Sequence, residues 1–573
     1  MPSYSDNTKS PLWIYPKILP EICEEIVNEF NTHPVTAQIL VSRGFTTLEQ
    51  INNYLYGRLP DLYDPKLFPE IEKAVERVMR AIHTSENILI YGDNDVDGMT
   101  GTALLTEFLE TIGAKVFYYV PNRNNLRDSL IIDALHFASK NECKLIITVD
   151  CGITAAENIE HVAKNNVDVI ITDHHEPTAK IPHCVATLNP KILSGDYINK
   201  ELTGVGVAFK LAHALTNHLN LVQDPVAAKI DLKEYLDLVA LGTISDMASL
   251  LDENRILVRY GLRQIQSRQR IGLMKLFSIC DIDPGTTAIS VSDIASKIAP
   301  RLNSLGRIAD PRKGVELLIM KDAEKAEKLA LELDLNNTER QKIERAMSAD
   351  VEDKILNTPS LFKEKAVILH SNEWHPGVIP IVTTRIAKQY NRPTVMIAVE
   401  DGVGKGSIRS IREFPLLNVL KERSDLLLNF GGHDFAAGLT IKEENIEEFK
   451  AFFISRANDI LQDTDIMTKL YLDAHIDFKE IDFDFMESLN LLSPYGNENP
   501  HPILYCDVTQ AWPPKIIGNN HLKMYVEQDD RMLEGIAFGM GDRRKELKRK
   551  KLNLRVAFTP QINNFHNKTS IQL

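Results

Sequence analysis

The stretch Ile88-Leu-Ile-Tyr-Gly-Asp93-Asn-Asp95-Val-Asp97-Gly98 decides the fold, because a short apolar run ends abruptly in three alternating carboxylates. An apolar run of this length that stops at a glycine predicts a buried strand, and the apolar spacing over residues 99–112 predicts a helix. The acids therefore lie where a strand passes into a helix. Like charges packed this closely repel one another, so a partly buried site of this kind needs a counter-charge, most simply a divalent cation.

The region from about residue 86 to residue 250 repeats this alternation of strand and helix. Amphipathic helices are predicted between strands, at 128–139 and 155–164. The predicted strands are 87–91, 115–120, 144–149 and 167–171. Such alternation is typical of a parallel sheet with helices on both faces, an α/β fold in which ligands bind beyond the carboxyl ends of the strands.

Two later strands of the predicted sheet also end in acidic or imidazole side chains. One ends at Asp150 and the other in Asp173-His174-His175, while a further acid, Asp246, closes a strongly apolar stretch. Each acid alone is as readily explained as a helix cap, and a lone His-His pair is more often on the surface or in the core. The coincidence of three acid-tipped strands in one domain favours a metal site instead. Carboxylates with one or two imidazoles suit Mn²⁺ or Mg²⁺, and shared carboxylates can hold two ions for phosphoryl chemistry.

Taken in order along the chain, these motifs resemble motifs I to IV of the DHH phosphoesterases. The matching segments are Gly92-Asp93-Asn-Asp95-Val-Asp97-Gly98, Val149-Asp150, Thr172-Asp173-His174-His175 and Gly242-Thr-Ile-Ser-Asp246. Within that superfamily the chain is similar, over nearly its whole length, to the RecJ-type single-stranded-DNA exonucleases.

The resemblance implies a ligand set for two Mn²⁺ or Mg²⁺ ions. Its members would be Asp95, Asp97, Asp150, His174 and Asp246, and Asp93 would be either a sixth ligand or a residue that supports the ligands. Catalytic roles fall on Asp150, His174 and His175, and His175 would contact the scissile phosphate or orient His174. Asn94 stands where the family usually has Tyr, between the ligands.

A second group of motifs, beyond about residue 295, is suited to binding phosphate. Gly404-Lys-Gly-Ser407-Ile-Arg409 places a hydroxyl and cations among glycines, whose backbone amides can approach an anion, and Gly431-Gly432-His433 presents an imidazole. Either glycine loop alone is more often a simple hairpin. Together they resemble the DHHA1 domain that accompanies DHH domains. That resemblance assigns substrate contacts to Arg301, Asn303, Arg307, Ser407, Arg409 and His433.

One further substrate contact is implied at Arg123, which matches a family arginine near the DNA end. The glycine turn that the family shows after this arginine is replaced here by residues 124–130.

The order of these segments predicts five parts. They are a helical segment at 1–82, a parallel-sheet α/β DHH domain at 83–254, a connector helix at 255–294, a second α/β domain of DHHA1 type at 295–465 and an OB-type β-barrel at 466–573. The barrel is predicted from several short strands in succession. OB barrels bind single strands through a cationic groove and aromatic stacking.

Composition restricts the class of protein further. The net charge of -14 over 573 residues argues against nucleic-acid binding through overall charge, although it is compatible with a locally basic channel. The six cysteines are scattered without a Cys-x-x-Cys pair, which favours reduced thiols in a cytoplasmic protein. No stretch reaches the length of a membrane span and the amino terminus lacks a signal-peptide pattern, so neither secretion nor membrane insertion is expected.

The residues by themselves predict metal-assisted hydrolysis of a phosphoester. The resemblance implies an exonuclease that degrades single-stranded DNA from the 5′ end to mononucleotides in recombination and repair. A single-strand-binding protein and a RecQ-type helicase would be its partners, and a monomer suffices. One alternative is a DHH-family oligoribonuclease or phosphatase for short oligonucleotides, which is expected to end after the DHHA1 domain. The other is an inactive DNA-binding protein of the same fold, which the retained ligand set disfavours.

Overall fold

The computed structural model describes residues 11–122, 130–192, 197–358, 363–518, 520–549, 551–565 and 568–573. The substrate contact predicted at Arg123, and residues 124–129 of the altered loop after it, lie outside the described residues. Within the described ranges, no helix combines the length and the apolar character that crossing a bilayer requires.

The amino-terminal part of the chain is mostly helical. It comprises strand β1 (Leu12–Ile14) and helices α1 (Pro20–Phe30), α2 (Pro34–Ser42) and α3 (Leu48–Tyr56). Proline opens α1 and α2, where its missing N–H is not needed, and the Thr47 hydroxyl caps α3 by accepting the Gln50 amide. These helices pack against the carboxy-terminal part of the chain. Their buried residues, such as Ile26 and Leu40, form one core with the carboxy-terminal part of the chain.

The central part is a five-stranded parallel sheet between helices. In chain order it contains α4 (Ile71–His83), β2 (Asn87–Gly92), α5 (Val96–Thr111), β3 (Lys115–Tyr119), α6 (Leu130–Lys140), β4 (Cys143–Val149), α7 (Ala156–Lys164), β5 (Asp168–Thr172), β6 (Ala186–Leu188), α8 (Gly204–Leu221) and α9 (Leu236–Ser245). The strand order is β3-β2-β4-β5-β6, and every neighbouring pair is parallel. The predicted parallel α/β domain is confirmed.

Both faces of this sheet are buried, which explains why its strands are continuous apolar runs rather than alternating ones. In β2, Ile88 and Ile90 belong to the core that includes α5 and α8, whereas Leu89 and Tyr91 belong to the core under α6 and α7. The chain leaves β2 toward β3 on one side and returns to β4 on the other. The topological switch point therefore lies between the carboxyl ends of β2 and β4, where ligands bind in such sheets.

The connector consists of two successive helices rather than one. The elements that follow the sheet are α10 (Asp252–Gln266), α11 (Ile271–Ile279), the one-turn helix α12 (Val291–Asp293), α13 (Ala299–Ile308), α14 (Arg312–Ile319) and α15 (Ala323–Leu356). Arg268 has a φ of 59°, which right-handed helix does not allow, so α10 ends just before it. Helix α15 has 34 residues and is about 50 Å long.

The second α/β domain has a mixed five-stranded sheet. Its elements are β7 (Val367–Ser371), α16 (Ile379–Tyr390), β8 (Thr394–Glu400), β9 (Val403–Arg409), α17 (Leu416–Glu422), β10 (Leu427–His433), β11 (Ala436–Lys442) and α18 (Ile446–Ile460). The strand order is β10-β11-β9-β8-β7; β7 and β8 are parallel and the other pairs are antiparallel. This confirms the second α/β domain that the sequence predicts.

The carboxy-terminal part is a curled sheet with the form of a half-barrel, which bears out the OB-type prediction. Its elements are β12 (Lys469–Tyr471), β13 (Ala474–His475), α19 (Phe483–Asn490), β14 (Leu504–Gln510), β15 (Lys515–Ile517), β16 (His521–Gln528), β17 (Arg531–Ala537), β18 (Asn553–Phe558), β19 (Gln561–Phe565) and β20 (Lys568–Gln572). Strand β12 pairs with β1, which joins the amino-terminal part to the start of the carboxy-terminal part. Strands β13 to β20 make the curled sheet.

A buried arginine, Arg255 of α10, links three parts of the molecule. Its Nε donates to the Tyr54 carbonyl (2.7 Å), and its terminal nitrogens donate to the carbonyls of Leu491 (3.1 Å), Leu492 (3.0 Å) and Ser493 (2.7 Å). The guanidinium also lies 3.8 Å from the centroid of the Tyr54 ring. Burial lowers the pKa of Arg255 to about 10, so the group stays charged at neutral pH. The amino-terminal helices, the connector and the half-barrel domain therefore meet at one cation.

We expect Arg255→Met to lower the free energy of unfolding by at least ~2 kcal/mol, because the half-buried carbonyls of Leu491 and Ser493 lose this donor. The measurement is the urea midpoint. Arg263→Met, eight residues further along α10 with an exposed side chain, is the control and should stay within about 0.5 kcal/mol of the unaltered chain. Equal losses in the two variants would contradict the linking role of Arg255.

Candidate metal centre

The strand-to-helix turn after β2 presents its acids by backbone hydrogen bonding. The Asp93 amide donates to the Val149 carbonyl (3.1 Å), which holds this turn against the end of β4. Asp95 is the N-cap of α5, and its carboxylate accepts the amides of Asp97 (3.0 Å) and Gly98 (3.2 Å). A helix cap and a candidate ligand are thus combined in one residue.

Asp97 is buried in the first turn of α5, yet its carboxylate has strong partners. Its Oδ2 accepts the Gly204 amide (2.6 Å) and its Oδ1 accepts the Val205 amide (2.9 Å), at the positive end of α8. A Cβ at Gly204 would lie 2.5 Å from the Cβ of Asp150. Only glycine therefore lets the start of α8 approach both acids.

Asp150 lies at the switch point with a φ of 61°, directly after β4. Its Oδ1 is buried, accepts no hydrogen bond from the described part of the chain, and lies 3.0 Å from Nε2 of His174. The same Nε2 lies 3.8 Å from Asp97 Oδ2 and 3.8 Å from Asp246 Oδ2. Neighbouring ligands of an octahedral ion with bonds of 2.0–2.1 Å lie about 3 Å apart. An unpaired buried oxygen at this spacing from an imidazole fits a hard divalent cation.

Asp173 orients the two imidazoles. Its Oδ1 accepts the amides of His174 (2.7 Å) and His175 (3.1 Å) and contacts His175 Nδ1 (2.8 Å), while Oδ2 accepts the Ile153 amide (2.9 Å). Burial opposes ionisation of Asp173, but these hydrogen bonds outweigh it and hold its pKa below the ordinary value. The sequence prediction placed Asp173 at this strand end but gave it no role in the site, because three of its four partners are backbone amides, which no side-chain pattern shows.

The pKa values at the site show that three acids hold protons more tightly than usual, whereas one imidazole is neutral. Burial, and then neighbouring carboxylates, raise the pKa of Asp97 to about 7, that of Asp246 to about 8, and that of Asp150 well above its ordinary range. Burial lowers the pKa of His174 to about 4, so its ring is neutral and able to bind a metal. The hydrogen bond to the neighbouring carboxylate raises the pKa of His175 to about 9, so its ring is cationic at neutral pH.

The structure brings all six predicted metal ligands and His175 together. Their ligand atoms form three groups, in each of which the atoms lie within 4.8 Å of one another. The groups are Asp93, Asp95 and Asp150; Asp97, His174 and Asp246; and Asp150, His174 and His175. Because Asp150 belongs to two of them, one carboxylate can serve two neighbouring ions.

Helix α13 forms the wall beside the first acidic turn. The Asn303 side-chain oxygen accepts the Val96 amide (3.2 Å), so Asn303 lies directly against the start of α5. The other two predicted contacts of this helix already have protein partners. Arg301 donates to Asp334 (2.9 Å) and Arg307 donates to the Gly377 carbonyl (2.8 Å).

The remaining predicted substrate contacts lie on neighbouring strands of the second sheet. Ala436 of β11 is paired with both Arg409 of β9 and His433 of β10, and Ser407 is buried two residues before Arg409. Burial lowers the pKa of Arg409, and none of the described carboxylates lies within ion-pair distance of it. Burial also lowers the pKa of His433, helped by the charges of Arg409 and of Lys191 from the first α/β domain. The second sheet therefore presents these groups toward the first, and Lys191 is a neighbour that no sequence motif indicated.

Three family models match successive parts of the chain. They are the DHH family N-terminal domain at residues 87–243, the DHHA1 domain at 363–459 and the RecJ OB domain at 472–573.

Individual relatives resemble the chain over most of its length. The single-stranded-DNA-specific exonuclease RecJ of Haemophilus influenzae is 32% identical over 563 residues, which cover 96% of each chain. RecJ of Bacillus subtilis is 34% identical over 523 residues, which are 91% of this chain but 64% of that protein. The crystal structure of RecJ from Thermus thermophilus in complex with Mn²⁺ superposes with a TM-score of 0.82 and 29% identity, over 98% of this chain and 78% of that one.

The raised pKa values of the site acids predict how the metal-free protein responds to pH. The folded state binds protons at Asp97 and Asp246 more tightly than the unfolded chain does, and the same holds for His175. The stability that these three groups contribute is therefore fully present below about pH 4, and it is lost as pH rises from about 4 through the folded-state pKa values of 7 to 9. Thermal melts in EDTA should show a falling Tm over this window, and Mn²⁺ should restore it by neutralising the ionised acids. A flat Tm in EDTA, or no stabilisation by Mn²⁺ at pH 8.5, would contradict the description of the site.

Asp173→Asn should weaken Mn²⁺ binding about 10- to 100-fold, because the amide cannot hold both imidazole residues as the carboxylate does. Isothermal titration with Mn²⁺ measures the effect. Asp168→Asn, at the opposite end of the same strand, is the matched control and should bind Mn²⁺ with unchanged affinity. Unchanged affinity in Asp173→Asn would show that His174 needs no such support.

Proposed function

The chain belongs to the family of RecJ single-stranded-DNA-specific exonucleases, and on that basis we propose that it removes mononucleotides from the 5′ end of single-stranded DNA. The reaction uses Mn²⁺ or Mg²⁺ held by the carboxylates and His174 at the switch point. The observation that carries the proposal is the buried, unpaired Asp150 oxygen 3.0 Å from the His174 ring. The charge of Lys191 acts both on His174 and on His433 of the second domain, which brings the two domains to the same site.

Two cations bound there would lower the pKa of a water molecule and stabilise charge in an in-line displacement at phosphorus. Asp150 would bridge the two positions, since it belongs to two of the three ligand groups. The α8 amides fix the Asp97 carboxylate, so it meets a cation without reorganising. His174 is neutral and binds through Nε2.

His175 has a different role in this proposal. Its Nδ1 is held by Asp173, and its raised pKa keeps the ring protonated. Its Nε2 then donates to a non-bridging oxygen of the scissile phosphate. This is a charge-assisted hydrogen bond, which is stronger than one between neutral groups.

The end of the strand is held by the second domain. Arg409 is a partly buried guanidinium with no carboxylate partner in the described structure, next to the Ser407 hydroxyl at 3.5 Å. A terminal phosphate supplies the missing negative charge and accepts two hydrogen bonds from such a group. His433, at the same level of the sheet, lies beside this phosphate, and Asn303 lies across the cleft.

The chain's organisation supports a long single strand as substrate rather than a short oligonucleotide. The half-barrel at residues 472–573 follows the second domain, and its exposed Trp512 stands edge-on to Tyr525 at 5.5 Å, as a platform for bases. The assembled ligand set likewise disfavours an inactive binding protein.

We place the enzyme in the cytoplasm as a monomer, and its six free cysteines agree with that compartment. It acts in recombination and repair, with a single-strand-binding protein and a RecQ-type helicase as partners.

Digestion of a 40-nucleotide strand labelled at one end or the other tests the activity and its direction. With Mn²⁺ or Mg²⁺, a 5′ label should appear first as a mononucleotide, whereas a 3′ label should remain on progressively shorter strands. Asp150→Asn should reduce the rate at least ~10³-fold, since it removes a ligand shared by two cations. Asp463→Asn, whose side chain is 90% exposed, is the control. Full activity of Asp150→Asn would refute the metal centre, and release confined to dinucleotides would favour the oligoribonuclease.

Arg409→Gln should weaken binding of 5′-phosphorylated strands about 10- to 150-fold, because one charge-assisted contact is worth roughly 1.5–3 kcal/mol. Binding of 5′-hydroxyl strands should change less. Fluorescence anisotropy in Ca²⁺, with Arg412→Gln as a control on a neighbouring exposed arginine, measures both. Equal weakening for the two kinds of strand end would show that Arg409 does not contact the terminal phosphate.

A further inference from the structure

A cavity of about 450 Å³ lies away from the metal centre, where three parts of the chain meet. Its walls are the end of α3, one face of α10 and the turn that follows α19. Six of its lining residues matter here: Tyr56, Arg58, Arg259, Tyr260, Arg263 and Leu491. We call it the arginine pocket.

Arg58 of the arginine pocket pairs with Asp61 (3.6 Å), whereas the charges of its other two arginines, Arg259 and Arg263, are not balanced by the described part of the protein. The two recur along α10 four and eight residues after the buried Arg255, which lies outside the lining of the pocket, and none of the described carboxylates forms an ion pair with any of these three arginines. Arg259 donates to the carbonyls of Tyr54 (3.1 Å) and Gly57 (3.5 Å). Burial, and then the charge of Arg263, lower the pKa of Arg259. Like charges at this spacing repel one another, so the row of arginines is suited to an added anion.

Aromatic and apolar surfaces accompany these cations. Tyr56 is 43% exposed at the rim, and the Arg263 guanidinium lies 5.1 Å from the centroid of the half-buried Tyr260 ring. Leu491 contributes apolar surface between them. An arginine side chain can donate two parallel hydrogen bonds to a phosphate, and nucleic-acid bases stack on aromatic rings and on guanidinium groups. The volume is within the range of pockets that enclose a small ligand.

The arginine pocket is separate from the reacting centre. A Cβ on Gly261 would lie 2.2 Å from the Leu236 carbonyl, so the middle of α10 is level with the start of α9. Asp246 follows the last residue of α9, which has 10 residues, and the pocket is therefore roughly 15 Å from the metal centre along that helix. A nucleotide bound at the metal centre therefore cannot occupy the arginine pocket at the same time.

We propose that the arginine pocket binds a nucleotide, with its phosphate between Arg259 and Arg263 and its base against Tyr56 or Tyr260. The nucleotide is either one unit of a DNA strand outside the catalytic cleft or a free mononucleotide, since both present the same phosphate and base. A bound nucleotide adds a further link between the amino-terminal helices, the connector and the half-barrel domain. The inference does not depend on catalysis at the metal centre, because binding alone is measured.

Binding to the full-length chain carrying Asp150→Asn, in EDTA, tests the proposal without degradation of the ligand. For a fluorescein-labelled 15-nucleotide dT strand, each phosphate that the protein neutralises contributes about 0.7 to the slope of log K against log salt. Because one phosphate lies between the two side chains, Arg259→Gln combined with Arg263→Gln should reduce the slope by about 0.7. Arg268→Gln, in the same connector but paired with Asp283, is the matched control. Equilibrium dialysis with radiolabelled dAMP forms the second arm, and amide hydrogen exchange at residues 54–60 and 490–494 locates the ligand.

The outcomes separate the two sources of nucleotide. A reduced slope with protection of these segments by the dT strand identifies a strand segment, whereas dAMP binding that the double variant weakens at least tenfold, with the slope unchanged, identifies a free nucleotide. Arg263→Gln alone, at an exposed position, tests the pocket even if loss of Arg259 alters the fold. The proposal is overturned if neither ligand protects these segments and neither variant changes binding, or if a hexa-aspartate peptide protects them while both nucleotide ligands do not.

Discussion

The mutual repulsion of buried carboxylates is the constraint on which the rest of this molecule depends. Asp97, Asp150 and Asp246 surround one imidazole at 3.0–3.8 Å, and burial makes their joint ionisation unfavourable without a cation. Three features of the backbone hold these acids in position. The switch point brings the ends of β2 and β4 together, the amides of α8 fix Asp97, and Gly204 allows that helix to approach. The fold thus builds a site whose ionised carboxylates repel one another without a metal ion, and a bound cation removes that repulsion.

The two α/β domains supply opposite charges to one cleft. The first contributes carboxylates at the ends of parallel strands, while the second contributes Arg409 and His433 from adjacent strands of a mixed sheet. The charge of Lys191 on the first domain affects His433 on the second, so the two faces are within electrostatic reach. A phosphodiester in this cleft would contact cations held by the first domain on one side and Arg409 of the second domain on the other. The overall charge of -14 conceals this local arrangement.

Local patterns predicted the sheets and the ligand cluster because both depend on short-range order. Each strand of the first sheet is an apolar run buried on two faces, and the chemistry lies at strand ends that parallel topology brings together. What local patterns could not show depends on distant partners. The packing of α1 to α3 on the half-barrel, the hydrogen bond from the Ile153 amide to Asp173, and the burial of Arg270 between Asp237 and Glu107 (2.7 Å each) all join residues far apart in sequence. The connector is divided at Arg268, whose positive φ no local pattern of apolar residues reveals.

The central claim is that the carboxylate cluster holds two cations bridged by Asp150. Anomalous diffraction from crystals of the full-length chain grown with Mn²⁺ tests this directly. We expect two peaks roughly 3.5–4 Å apart on either side of the Asp150 carboxylate. The absence of any Mn²⁺ peak within bonding distance of Asp150 and His174, or a single ion bound without Asp150, would contradict it.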